Sequence, residues 1–176
     1  MSKIMLKLRV AASVVAGLAL LAAAAGCAGS GAKSTRTMPI EKARDVFPSA
    51  TEVAEVSMNG GAGTSAPSDK TVFSEIRDAS NLLGYLVETQ VRGRSGPFRI
   101  AVLLDDRLVV KRATVVSYPW SHGRGVGRRS FARQFEGKGP EDAIEIGKDI
   151  DAVTGATISC RAMAEGVRQA VTFLAR

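Results

Sequence analysis

The sequence predicts an α+β domain, a curved antiparallel sheet with helices packed on it. Two observations carry this. Four runs rich in Val, Ile, Phe, Tyr and Thr follow one another between residues 70 and 118, with only short turn signals between them. The chain then ends on an apolar stripe at helical spacing.

In chain order, "MPIEKARDVFPSA" (38–50) predicts a short helix: Pro39 suits a first turn, Ile40, Ala43, Val46 and Phe47 recur at helical spacing, and Pro48 closes it. "NGGAGTSAPSD" (59–69) reads as a loop. "KTVFSEIRD" (70–78) and "LLGYLVETQV" (82–91), separated by "ASN", predict a hairpin. "FRIAVLLDDRLVVKRATVVSY" (98–118) predicts a second one about Asp105 and Asp106, so four strands form a meander. "YPWSHGRGVGRR" (118–129) is a glycine-rich loop, "SFARQFEGKG" (130–139) a short helix with Phe131 and Phe135 on one face, and "PEDAIEIGKDID" (140–151) a short strand between turns. From Ile158 to Leu174, Cys160, Met163, Ala164, Val167, Ala170, Val171 and Leu174 form one apolar stripe; Arg161, Glu165, Arg168 and Gln169 form the polar side.

Residues 1–26 stand apart from the fold. A basic start, "MSKIMLKLR", precedes the apolar run "VAASVVAGLALLAAAA", the layout of an export signal. The run stops at "AAGC", which makes Cys27 a lipidation candidate and 27–38 a polar tether, although Ala24 stands where lipoprotein signals more often carry Leu. A plain cleaved signal or an uncleaved membrane helix is the alternative. Each version places the domain outside the cytoplasm, held at a membrane in the lipidated and uncleaved cases. Losing Lys3, Lys7 and Arg9 lowers the formal charge of +7 to +4 for the mature chain. That mild balance, with two tyrosines and one tryptophan, does not suggest a nucleic-acid surface. With Cys27 lipidated, Cys160 has no partner for a disulfide. Residues 39–176 are expected to form one domain.

The chemistry concentrates in "DAVTGATISC" (151–160), just before the last helix. Unpaired amides and the positive end of the helix dipole meet there, and Gly155 and Ala156 leave the backbone uncovered for a phosphate. The competing reading makes Thr157 an ordinary helix cap. "DAVTGATIS" resembles the attachment motif of the FMN-binding domain family, D-x-x-[ST]-G-A-T, and matches it at Asp151, Thr154, Gly155, Ala156 and Thr157. "EKARDVFPSAT" is similar to an upstream helix of these domains, and "HGRGVGRRSFARQF" to their glycine turn, with "HGR" replacing a common Glu-Thr-Pro. The resemblance covers about residues 40–175. Similar domains occur in flavin-carrying subunits of Na⁺-pumping NADH:quinone oxidoreductase and Rnf complexes.

The resemblance implies FMN joined to Thr157 by a phosphodiester, installed by a separate flavin transferase that reads Asp151. Thr154, Gly155, Ala156 and Ser159 would border the cofactor, and Ser159 is a second hydroxyl to test as the attachment point. Gly125, Val126 and Gly127 of the glycine turn, with His122, are candidates to meet the ring. Tyr118 and Trp120 either stack on the ring or cap the end of the sheet. Arg124 to Arg133 either pair the phosphate, face a redox partner or form a solvated basic face. His122, the only histidine, does not make a metal site, and no catalytic constellation appears. Cys160 is either a reactive thiol at a helix start or a buried one on the apolar stripe. The expected protein is an extracytoplasmic, membrane-tethered electron carrier working with membrane or soluble redox proteins. Alternatives are a non-redox accessory or sensory lipoprotein, and a reductase acting on a small acceptor.

Overall fold

The computed structural model describes residues 40–56 and 70–175. The export signal, Cys27, the tether and the whole 59–69 loop lie outside the described residues.

Five strands form one antiparallel sheet in the order β1 (Glu52–Val56), β2 (Val72–Asp78), β3 (Asn81–Arg92), β4 (Pro97–Asp105) and β5 (Val110–Ser117). The meander is as expected, with one strand more at its edge. β3 and β4 are its spine, in register from Gly84 opposite Asp105 to Arg92 opposite Pro97. Register shifts at Ile76/Arg77, Arg99/Ile100 and Leu103/Leu104 insert bulges, which bend strands and supply the expected curvature.

Alternation along β4 divides the core. Phe98, Ile100, Val102 and Leu104 face the long helix α3 (Thr157–Leu174), which buries Cys160, Met163, Ala164, Val167, Ala170 and Val171 against them. Ala101 and Leu103 face the other way, joining Ile76 and Leu86 beneath Ala43 and Ala50. Ala43 belongs to α1 (Ile40–Arg44), which stops short of Pro48: the amides of Val46 and Phe47 both turn back to the Ala43 carbonyl. α3 presses closest to the sheet at Gly166, where a Cβ would fall 2.5 Å from Val91 Cγ1 and 2.9 Å from Ile100 Cδ1. This crossing seats the first turn of α3 beside the β3–β4 hairpin.

Two segments differ from expectation. "YPWSHGRGVGRR" contains a 3₁₀ turn, Arg124–Gly127; the short helix that follows is α2 (Arg129–Ala132), continued by a 3₁₀ turn, Arg133–Phe135. Phe131 and Phe135 do share a face, their rings edge-on at 5.3 Å. "PEDAIEIGKDID" is not a strand. Its Ile-Glu-Ile alternation finds no partner beyond a single bridge between Ile146 and Ile150. Instead the Asp149 carboxylate accepts the amides of Ile144 (3.1 Å) and Glu145 (2.8 Å) and pairs with Lys138 at 2.8 Å, folding the segment onto itself.

Candidate functional site

The approach to α3 is a tight turn. The Ala156 amide donates to the Val153 carbonyl at 2.9 Å, and Gly155, third residue of that turn, has φ +78°. A positive φ at this position is the requirement of a type II turn and the reason a glycine stands there. Nothing lies within 4 Å of where its Cβ would be, so the space above it is open.

Because the turn consumes Val153 to Ala156, the helix cap is Ala156, which has no side-chain oxygen to offer. Thr157 is therefore the first helical residue and not a cap, which removes the competing reading of its hydroxyl. Thr157 is exposed and makes no side-chain hydrogen bond among the described residues. No side chain caps the first turn, so its amides are also left without a side-chain acceptor.

Two residues on, Ser159 is the opposite case. It is 3% exposed, and its Oγ lies 2.9 Å from Tyr118 Oη. Tyr118 donates its only proton to the His122 carbonyl at 2.7 Å, so Ser159 is the donor in their pair. Gly123, at φ +81°, closes this knot: a Cβ there would come within 2.6 Å of Tyr118 Oη and 2.9 Å of Ser159 Oγ.

Around Thr157 opens a cleft of about 550 Å³ lined by Arg94, Ser95, His122, Gly123 and the residues 155–159. Ile158, 50% exposed, puts an apolar surface beside the Thr157 hydroxyl. Arg94 and Ser95, from the β3–β4 hairpin, are lining residues that the sequence reading missed; only the seating of α3 on that hairpin brings them in. His122 is exposed, with Nδ1 3.1 Å from Ser121 Oγ.

The remaining candidates stand around the cleft rather than in it. Gly125 packs against Val153 and Ala156, its missing Cβ lying 2.8 Å from Val153 Cγ1. Val126 is fully buried in the core, and Gly127 opens onto a second, smaller cleft. Asp151 is exposed, and its backbone is clasped by Gln134: the Asp151 amide donates to Oε1 at 2.7 Å and Nε2 donates to its carbonyl at 3.1 Å. Gln134, also missed, thus fixes the motif's first residue. Thr154 is exposed at the turn. The ring of Tyr118 packs on Phe98 at 5.1 Å, and Trp120 donates Nε1–H to the Pro97 carbonyl at 2.9 Å, over Gly96. Trp120 therefore caps the end of β4. Cys160 is buried on the apolar stripe, and burial pushes its thiol above the usual cysteine range, with the Val153 backbone offsetting only part of that. A helix start does not make it a reactive thiol.

A comparison with curated proteins finds no match. Residues 93–172 match the family model of the FMN-binding domain, a span running from the β3–β4 hairpin into the last turns of α3 and containing the whole 151–159 motif. That match supports an FMN-binding domain over residues 93–172.

Proposed function

We propose that the chain is an extracytoplasmic, membrane-tethered electron carrier holding FMN as a phosphodiester on Thr157. The observation that carries this is the hydroxyl of Thr157: exposed, without a side-chain partner, inside the family motif and at the uncapped start of an 18-residue helix.

The surroundings fit the group. An anionic phosphodiester suits the unfilled amides and the dipole of α3. Ile158 offers an apolar surface for a ring, and Arg94, Ser95 and His122 offer polar groups at its edge. At about 550 Å³ the cleft is within the roughly 300–1,000 Å³ that holds one ligand of this size. FMN supplies reversible uptake of one or two electrons. The chain's own part is to hold, orient and shield it. In attachment by a flavin transferase, a bond forms between Thr157 Oγ1 and the FMN phosphorus of FAD, the pyrophosphate bond breaks, and AMP leaves with the proton. The Gln134 clasp presents exposed Asp151 for that enzyme, or its metal, to read. The signal-like 1–26 segment and Cys27 support export and a lipid anchor, and covalent attachment suits a place where lost cofactor is not readily replaced.

Co-producing the full chain with a flavin transferase tests this by in-gel fluorescence and intact mass. The expected result is a fluorescent band, carrying the added mass of FMN, that disappears in Thr157→Ala and persists in Ser159→Ala. Fluorescence that survives Thr157→Ala removes the attachment site.

A further inference from the structure

We infer that the arginine-rich edge formed by the Arg124–Gly127 turn, α2 and the Arg133–Phe135 turn is a docking surface for an acidic protein, placed beside the Thr157 cleft. This rests on the flavin-carrier reading and adds the chemistry of the partner.

From Arg107 to Phe135 the sequence contains seven Lys or Arg and no Asp or Glu. Four of these, Arg124, Arg128, Arg129 and Arg133, fall on or between three consecutive short turns and are all exposed. Val126, Phe131 and Phe135 take the inward positions, which leaves the arginines only the outward ones. The seven ion pairs of the described residues engage Arg77, Arg99, Lys111, Arg112, Lys138, Lys148 and Arg168, and none of these four. Like charges held close without counter-charges repel, so the arrangement is a cost to the free protein that a partner's carboxylates would relieve.

Packing fixes where this edge lies. Gly125 abuts Val153 and Ala156, and Gln134 clasps Asp151, so both ends of the edge are fastened to the attachment motif. Arg124 and Arg128 also border a cleft of about 390 Å³ with Val115, Tyr118 and Gly127. Tyr118 joins the two clefts, because its hydroxyl is bonded to Ser159 in the wall of the other. A partner bound here would sit next to the flavin.

An acidic protein fits better than a lipid surface. Membrane-bound helices set apolar residues among their basic ones, whereas every large apolar side chain from Val126 to Phe135 is buried. The cations of this edge are all arginine, whose planar fork pairs carboxylates with two hydrogen bonds. Charge steering of this kind raises association rates about 10- to 1,000-fold and is lost in salt.

Stopped-flow reduction of the flavin-loaded full chain by reduced plant-type ferredoxin, an acidic one-electron donor, is the test. The wild-type rate constant is expected to fall about tenfold between about 20 and 200 mM salt. Arg128→Glu with Arg129→Glu should lower it about tenfold at low salt and flatten the salt dependence, with flavin still attached. Lys42→Glu with Arg107→Glu, the same change in net charge elsewhere, should change it less than about twofold. Equal rates for the two double variants overturn the proposal. So does binding to phosphatidylglycerol vesicles that the first pair abolishes while its ferredoxin rate is unchanged, which would make the edge a membrane contact. If no flavin attaches, the carrier reading fails, and calorimetric binding of ferredoxin to the flavin-free chain still decides the docking surface.

Discussion

The segment around Asp149 and the start of α3 pose the same problem and solve it differently. Both expose backbone amides outside any regular ladder. At residues 144–149 the chain fills them itself: one carboxylate accepts the amides of Ile144 and Glu145 and holds the Lys138 ammonium. At residues 157–159 it does not, because the cap is an alanine and the nearby serine is turned inward to Tyr118. Amides that a fold needs for its own stability are satisfied from within, and amides kept open beside a free hydroxyl are available to a ligand. The first arrangement is architecture and the second is the candidate site.

Removing the internal anion should have the largest effect on stability. Burial raises the Asp149 carboxyl, but the Glu145 amide, the Lys138 ammonium and the Ile144 amide outweigh it and hold it below the usual carboxylate range. A depressed folded value means that the stabilisation is complete above the unfolded value near 3.8 and is lost as pH falls through the folded one. Asp149→Asn should therefore lower stability by about 1.5–3 kcal/mol at neutral pH, in line with hydrogen bonds to a charged group. The gap from wild type should narrow below pH about 4. Urea denaturation at pH 7 and pH 3 reads both, and a gap that widens in acid would show that the charge is not what holds the segment. Flavin attachment at Thr157 should persist.

Ser159 sharpens the comparison from the other side, as a motif hydroxyl used for structure. Ser159→Ala removes one hydrogen bond while Tyr118 keeps its donation to the His122 carbonyl. The expected loss is about 0.5–1.5 kcal/mol, read as a lower urea midpoint with attached flavin unchanged. A loss of flavin without a loss of stability would assign Ser159 to the cofactor.

How much of this was legible in the sequence follows from how local each signal is. Strands β2 to β5 are runs of seven or more residues rich in β-branched, aromatic and other apolar side chains, and α3 carries its stripe for 18, so both could be read from the sequence alone. β1 is five residues long with two exposed glutamates and pairs with one neighbour only, too little for a period to appear. "AIEI" has the alternation of a strand, but Lys138 and Asp149 meet only once the chain is folded. The motif at 151–157 is contiguous and was readable, whereas Arg94, Ser95 and Gln134 reach it from other elements. Thr157 looked like a cap because Thr caps commonly; the turn at Gly155 shifts the cap to Ala156 and frees the hydroxyl.

The smallest effect gives the most direct contrast between the two amide sets, because it supplies α3 with the anion it lacks. Thr157→Asp puts a carboxylate on the first helical residue, at an exposed position where the longer side chain meets open cleft. An acid in the first turn complements the helix dipole and its unpaired amides, worth about 0.3–1 kcal/mol at low ionic strength. The flavin-free variant should thus be slightly more stable than flavin-free wild type, the opposite sign from Asp149→Asn, and the gain should shrink as added salt screens it. It should also disappear as the new carboxyl is protonated in acid. No change, or a destabilisation, in urea titrations at low salt would mean that the amides of α3 are already satisfied, and the open site would lose its physical basis.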